Sequence, residues 1–191
     1  VAEKKAKAVP GVVEFAKANP DKANYGASAS PFQLAAELFN QKAGTRFQHI
    51  PYKGSGDTAQ AVANGDVTMT LSDAGPIAGL VQGGRLRALA VTSAGPHPAF
   101  PGVPTLMQAG FPDMEITLFS GIVAPAGTLP EIVARLQREI AAIVAEPAIR
   151  ERFAVVGITA TASTSADYTR RIERDIARWT AVARAANIKA D

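Results

Sequence analysis

The chain has no cysteine. That excludes disulfides and thiolate metal sites, and it is compatible with an oxidising compartment. Histidine is nearly absent as well. His49 and His97 stand alone, and no H-E-x-x-H motif is present, so no metal site is expected. Charge is sparse, at 19% of residues with a net +3. So small and dispersed an excess does not make a nucleic-acid surface, and no nucleic-acid partner is expected. No apolar run reaches membrane-spanning length. No apolar segment follows Lys4 and Lys5, so a signal peptide is not expected within these residues. Lys53-Gly54-Ser55-Gly56-Asp57 lacks the G-K-[ST] ending of a phosphate-binding loop.

What is present is apolar residue in quantity, 47%, enough for a sizeable core, arranged in an alternating pattern. A helix is expected over 9–18, with Pro10 in its first turn and Val12, Phe15 and Ala16 on one face. A strand begins over 23–25. A helix follows from Ser30, read as its N-cap, through Leu34, Ala35, Leu38 and Phe39 to Gly44. Strands are expected over 47–50, 67–71 and 86–91. Between them lie a helix capped by Ser55 or Asp57 and ending at Gly65, and a short helix over 76–81. This β-α-β alternation predicts an α/β fold, a parallel-rich sheet with helices on both faces.

Residues 93–112 are rich in proline and glycine and read as a loop with a short helix over 105–109. A long strand over 114–124 is expected to cross between two lobes. Thr128 and Glu131 have capping-box spacing before a strongly amphipathic helix carrying Ile132, Leu136, Ile140 and Ile143. A helix over 148–155, a strand over 157–160, and a last helix capped by Ser165 complete the pattern.

Three expected strands end in Gly/Ser-rich turns that open helices. Such turns present backbone N–H groups and the positive end of a helix dipole, a ready place for an anion. In parallel sheets ligands sit outside the carboxyl ends of the strands, where all three turns fall. The candidate ligand-binding residues are Tyr25, Gly26, Ala27, Ser28, Ala29 and Ser30 in the first turn. The second contributes Tyr52, Lys53, Gly54, Ser55 and Gly56, and the third Ser72 and Asp73. Phe119, near the lobe crossing, is a further candidate. Each has a plainer role beside this one: Ser30 and Asp73 as helix caps, Tyr52 and Phe119 as core, Lys53 as a solvated charge.

The phrases Pro51-Tyr52-Lys53-Gly54-Ser55, Gly84-Arg85-Leu86-Arg87-Ala88-Leu89-Ala90-Val91-Thr92-Ser93 and Ala124-Pro125-Ala126-Gly127-Thr128, in that order, resemble the Bug/TctC family. So do Ala16-Lys17-Ala18-Asn19-Pro20, Leu34-Ala35-Ala36-Glu37-Leu38-Phe39, and Val103-Pro104-Thr105 followed by Ala109-Gly110. These are periplasmic solute-binding proteins of tripartite tricarboxylate transporters. The resemblance implies a type II periplasmic-binding-protein-like fold of two lobes, with an organic acid held between them. It implies no catalytic chemistry, no cofactor, delivery of the ligand to membrane permease subunits, and a periplasmic location. The ligand would be a di- or tricarboxylate, an amino acid or an aromatic acid.

By the family pattern, residues 1–117 form one complete lobe and 118–191 only the returning part of the other. The chain is therefore expected to be a fragment or a short variant. The incomplete lobe would leave unpaired strand edges that invite a homodimer. The first turn also departs from the family, with Ala27 and Ala29 where Ser and Gly are common and Gln33 where His is.

Two rival functions are a ligand-sensing module of the same fold and, more remotely, a serine hydrolase. Gly26-Ala27-Ser28-Ala29-Ser30 nearly matches the G-x-S-x-G nucleophile elbow but lacks the closing glycine. Its only candidate bases are His49, inside a strand, and His97, in a proline-rich loop.

Overall fold

The structure is a computed structural model and describes Val1, residues 6–155 and residues 157–188. Lys4 and Lys5, with the targeting expectation drawn from them, lie outside the described residues. The chain forms two compact units. The first is Val1–Leu118 with the chain end from Val182 onward, and the second is Phe119–Ala181.

The first unit is organised by a parallel three-stranded sheet in the order β2-β1-β3. Helix α1, Val9–Ala18, has Pro10 in its first turn and buries Val9, Val12 and Ala16. Asn19 ends it: its backbone N–H and its Nδ2 both donate to Phe15 O. Strand β1, Asn24–Ala27, pairs with β2, Gln48–Pro51, on one side and with β3, Met69–Thr70, on the other. Gly26 lies opposite Ile50 and opposite Thr70 at once. The helices cover both faces of β1. From one face the fully buried Tyr25 donates its hydroxyl to Glu37 on α2, Ser30–Ala43, at 2.7 Å. On the other, α3, Ser55–Asn64, sets the buried Thr58 against Gly26.

Two glycines end these helices in the left-handed region, as expected: Gly44 at φ 60° and Gly65 at φ 89°. There a side chain would be strained. The α2–β2 connection is held by the buried Asn40. Its Oδ1 accepts from Phe47 N–H at 2.9 Å and from Thr45 Oγ1 at 3.0 Å, while its Nδ2 donates to Phe47 O at 3.1 Å. Helix α4, Ala74–Gln82, has no fully buried residue. Its Ile77, Leu80 and Val81 lean on the core formed by Ala59, Val62, Val67 and Leu86.

Several expected elements take another form. Residues 86–91 are not a strand; beyond Gln82 the chain runs irregularly, with an isolated parallel bridge from Val91 to Thr105. The stretch 105–109 is a turn rather than a helix, tied by Thr105 N–H to Gln108 Oε1 and Gln108 N–H to Thr105 Oγ1. Residues 114–124 form no strand. In the part that belongs to the first unit, Ile116 N–H donates to Thr92 O at 2.8 Å and Thr92 Oγ1 donates back to Ile116 O. Phe100, Leu106, Met114 and Ile116 are nonetheless buried, so this irregular part still fills core.

The second unit is helical: α5, Pro130–Ala145, α6, Pro147–Val155, and α7, Ser165–Ala185, up to Ala181. Its described residues contain no strand, so the strand expected over 157–160 is absent. The Thr128–Glu131 capping box is not formed. Leu129 is the N-cap of α5, and Thr128 Oγ1 donates to Pro125 O instead. The cap of α7 is Thr164, one residue before the expected Ser165. Its Oγ1 accepts from Asp167 N–H at 3.1 Å and donates to Asp167 Oδ2 at 2.6 Å. The Asp167 carboxyl is held below the ordinary carboxylate range by this Thr164 bond first and by Arg170 second.

Candidate binding site at the carboxyl edge of the sheet

All three strands run parallel, so Ala27, Pro51 and Thr70 end at the same edge. The turns that follow open α2, α3 and α4, and each carries at least one serine: Ser28 and Ser30, Ser55, and Ser72. Ser28 and Ser55 meet, their Oγ atoms 3.2 Å apart, which ties the first turn to the second. Ser72 follows β3, and its Oγ is buried without a hydrogen-bond partner. A buried hydroxyl left unpaired is costly, so its place beside a candidate site is notable.

The helix starts differ from the expected caps. Ala29, not Ser30, is the N-cap of α2, with β1's extended conformation carried on to φ −157° and ψ 156°. Gly54, not Ser55 or Asp57, caps α3 in nearly the same geometry. Asp73 does occupy the N-cap of α4, but its side chain makes no capping hydrogen bond. Ser30 and Ser55 are consequently released from capping. In α2 the N–H groups of Phe32 and Gln33 both turn to Ala29 O, and Pro31 has none to offer. Helix geometry leaves Ser30 N–H as the outward donor. In α3 the same geometry leaves Ser55, Gly56 and Asp57, with open space beside Gly56.

The other candidates divide into those beneath the edge and those beside it. Tyr25 is buried with its hydroxyl on Glu37, and burial, that hydrogen bond and Glu37's charge together raise its phenol above the ordinary range. Tyr52 is half-buried against the α3 core, and its N–H donates to Ala27 O at 2.9 Å. Both support the turns from below. Lys53 and Asp73 are exposed. Phe119 opens the second unit. There it packs edge-on against Tyr168 at 5.6 Å, with the Arg171 guanidinium 4.2 Å from its ring centre. Gly121 is required at the same place, because a Cβ would collide with the Tyr168 ring.

Neither histidine is hydrogen-bonded to Ser28. His49 stacks on Tyr25 at 5.2 Å with Nε2 buried and unpartnered, and His97 Nδ1 accepts from Ala99 N–H. The elbow-like sequence therefore has no base in place. Among the described residues no cluster of three His, Cys, Asp or Glu could hold a metal. None of the described helices is long and apolar enough to cross a membrane. A cleft of about 370 Å³ opens by the amino end of β2, lined by Glu37, Gln41, Arg46 and Gln48 among others. It lies away from the three turns, and its Glu37 is already held by Tyr25 and Asn40.

Thr58 and Thr70 were not singled out by the sequence. Thr70 Oγ1 donates to Gly26 O at 2.9 Å, and Thr58 Oγ1 donates to Gly54 O at 3.0 Å. The only signal for either was a threonine near a strand end or in a first helical turn, which by itself is unspecific.

A parallel sheet with helices on both faces and helix starts gathered at its carboxyl edge is the fold of the periplasmic-binding-protein type. The chain belongs to the tripartite tricarboxylate transporter family receptors, TctC, whose family model matches residues 1–188. It is 34% identical to protein BugT of Bordetella pertussis over 96% of its own length and 54% of BugT's. It is 33% identical to a protein encoded in the clcB–clcD intergenic region of Pseudomonas knackmussii, covering 76% of this chain and 87% of that one. Among solved structures, an R. palustris protein with adipate superposes with a TM-score of 0.82 at 31% identity, over 96% of this chain and 62% of that one. A TctC solute-binding protein from Polaromonas gives 0.81 at 26% identity, over 95% and 63%. The chain thus spans about half the length of BugT and under two thirds of these two structures.

Proposed function

We propose that this chain holds a small organic carboxylate for a periplasmic receptor that hands it to the permease subunits of a tripartite tricarboxylate-type transporter. The observation that carries the reading is the meeting of serine-bearing turns at one sheet edge in a chain of this family. Ser28 and Ser55 hydroxyls and the outward N–H groups of Ser30 and Gly56 are the donors. Neutral donors aimed at a carboxylate make strong, charge-assisted hydrogen bonds. Two of the three helix starts already carry an acid of their own: Asp57 in the first turn of α3 and Asp73 at the N-cap of α4. The first turn of α2 has none. The ligand's carboxylate is therefore assigned to the start of α2, with Ser72 and Lys53 as further candidates from the other two turns.

The similarity to a protein solved with adipate favours dicarboxylates among the ligand classes. The lobe division at 117/118 belongs to the same proposal, with residues 1–117 as the ligand-holding lobe and 118–191 as the returning part of a second. So does a homodimer. Among its described residues the second unit has no strand edge to offer, and the exposed Ile132, Leu136 and Ile143 of α5 are the surface such a dimer would cover.

Thermal unfolding against mono-, di- and tricarboxylates, amino acids and aromatic acids tests the reading. A bound acid stabilises the folded chain by about 2.7 kcal/mol at a hundred times its Kd. A dose-dependent rise in Tm with adipate or a close analogue, reduced in Ser28→Ala, is the expected result. A flat response across the panel overturns it.

A further inference from the structure

Resting on that reading, we propose that Gly26 is a positioning residue: its missing side chain, filled by the Thr58 methyl and the Tyr52 ring, sets the spacing between the two serine turns. A Cβ built on Gly26 would lie 2.6 Å from Thr58 Cγ2 and 3.2 and 3.3 Å from two carbons of the Tyr52 ring. Gly26 is in an extended strand and has no positive φ, so backbone freedom is not what it supplies. It supplies space, and α3 uses that space to come close to β1.

The contacts around this point form a closed circuit. Thr58 is 1% exposed, and its Oγ1 donates to Gly54 O, the residue that caps α3. Threonine in a helix has two rotamers open to it, and swinging the methyl clear would give up the bond to Gly54 O. From Gly54 the chain passes to Ser55, whose Oγ meets Ser28 Oγ at 3.2 Å. From Ser28 it returns through Ala27, whose carbonyl accepts from Tyr52 N–H, to Gly26. Gly26 O also accepts from Thr70 Oγ1 at 2.9 Å, which brings the strand before Ser72 into the same circuit. Widening the gap at Gly26 by one methyl group must therefore be taken up at the Ser28–Ser55 contact or at the α3 start. Close-packed interiors transmit such a displacement rather than absorb it.

The test compares the 191-residue chain with Gly26→Ala, Thr58→Ser and the double variant. Serine at position 58 keeps the hydroxyl that bonds Gly54 O and removes the methyl that the added Cβ at position 26 would strike. Backbone amide spectra without ligand are the first readout, and the dissociation constant for adipate is the second. The expected result is that G26A shifts the amide signals of Ser28, Ser55 and Ser72 and weakens adipate binding by about tenfold or more. T58S alone changes little, and the double variant returns both readouts most of the way to the parent. Unshifted amides in G26A, or a double variant no closer to the parent than G26A, overturns the proposal; so does a G26A chain that fails to fold and is not restored by T58S. If the parent chain binds neither adipate nor any other acid, the receptor reading fails. The amide spectra still decide the positioning role on their own.

Discussion

Helices α2 and α5 both have a proline in the first turn and both carry an apolar stripe, yet six residues of α2 are buried and none of α5. The contrast extends to the units around them. Every buried hydrophobic side chain of the described residues belongs to the first unit, while Ile122, Val123 and Val155 of the second are 73%, 76% and 87% exposed. What α2 has and α5 lacks, among the described residues, is a sheet in its own unit. A stripe on a helix stabilises only as far as something apolar covers it, at about 25 cal/mol for each Å² removed from water. Amphipathic pattern predicts that a helix forms and which face it wants to bury. It does not provide the partner.

Three substitutions put this contrast under strain. The largest effect is expected from Met114→Ala, since Met114 is fully buried in the first unit. A cavity of that kind costs about 2–5 kcal/mol, read as a lower midpoint in denaturant. A loss under about 1 kcal/mol would mean that the irregular segment around it is not true core.

Tyr25→Phe should have a smaller effect and one that depends on pH. Its phenol is raised above the ordinary value of 10.0 by burial first and then by Glu37. The unfolded phenol ionises near that value and the folded one only above it. Stability from Tyr25 is therefore complete below about pH 10 and is lost as the pH rises further. The variant should lose about 1 kcal/mol at neutral pH, for one hydrogen bond, and show a flatter decline above about pH 10. An unchanged alkaline slope would remove Tyr25 from the account. The smallest effect on stability, within about 0.5 kcal/mol, is expected from Ile143→Ser, because Ile143 is 49% exposed. The same variant should reduce self-association in sedimentation. A destabilisation approaching that of Met114→Ala would show that α5 is covered in solution.

Much of the first unit could be read from the sequence. Helix α1 falls where Pro10 and Asn19 mark it, and Gly44 and Gly65 stop their helices for the conformational reason expected. The parallel alternation gave the common edge on which the serine turns meet. The missing strands share one cause. Strands expected over 86–91, 114–124 and 157–160 were inferred from local apolar pattern, but a strand exists only when a neighbour pairs with it. Within 86–91 the pairing is confined to single points, Arg87 with Val1 and Val91 with Thr105, and Ile116 meets Thr92 in the same isolated way. The caps were misplaced by one residue at Ser30 and Ser165 because several small polar residues stand together there. Which of them takes the extended N-cap conformation is settled by the strand or loop leading in. At the candidate site, the serines were legible as donors. The space at Gly26 and the threonine that fills it were not, since the two are 32 positions apart and meet only once α3 lies on the sheet.

The Asn40 carboxamide has a consequence for the order of folding. It exchanges both of its hydrogen-bonding functions with the backbone of Phe47, only seven residues on, as a neighbouring strand residue would. Closing so short a loop takes about 10–100 ns, far faster than bringing distant strands together. The chain entering β2 can thus be aligned by α2 before β1 is available to align it. A slip of one residue in that pairing would turn His49 and Ile50 to the wrong faces. Asn40 then acts as a jig: it holds one strand at the correct offset until the sheet that depends on it has formed.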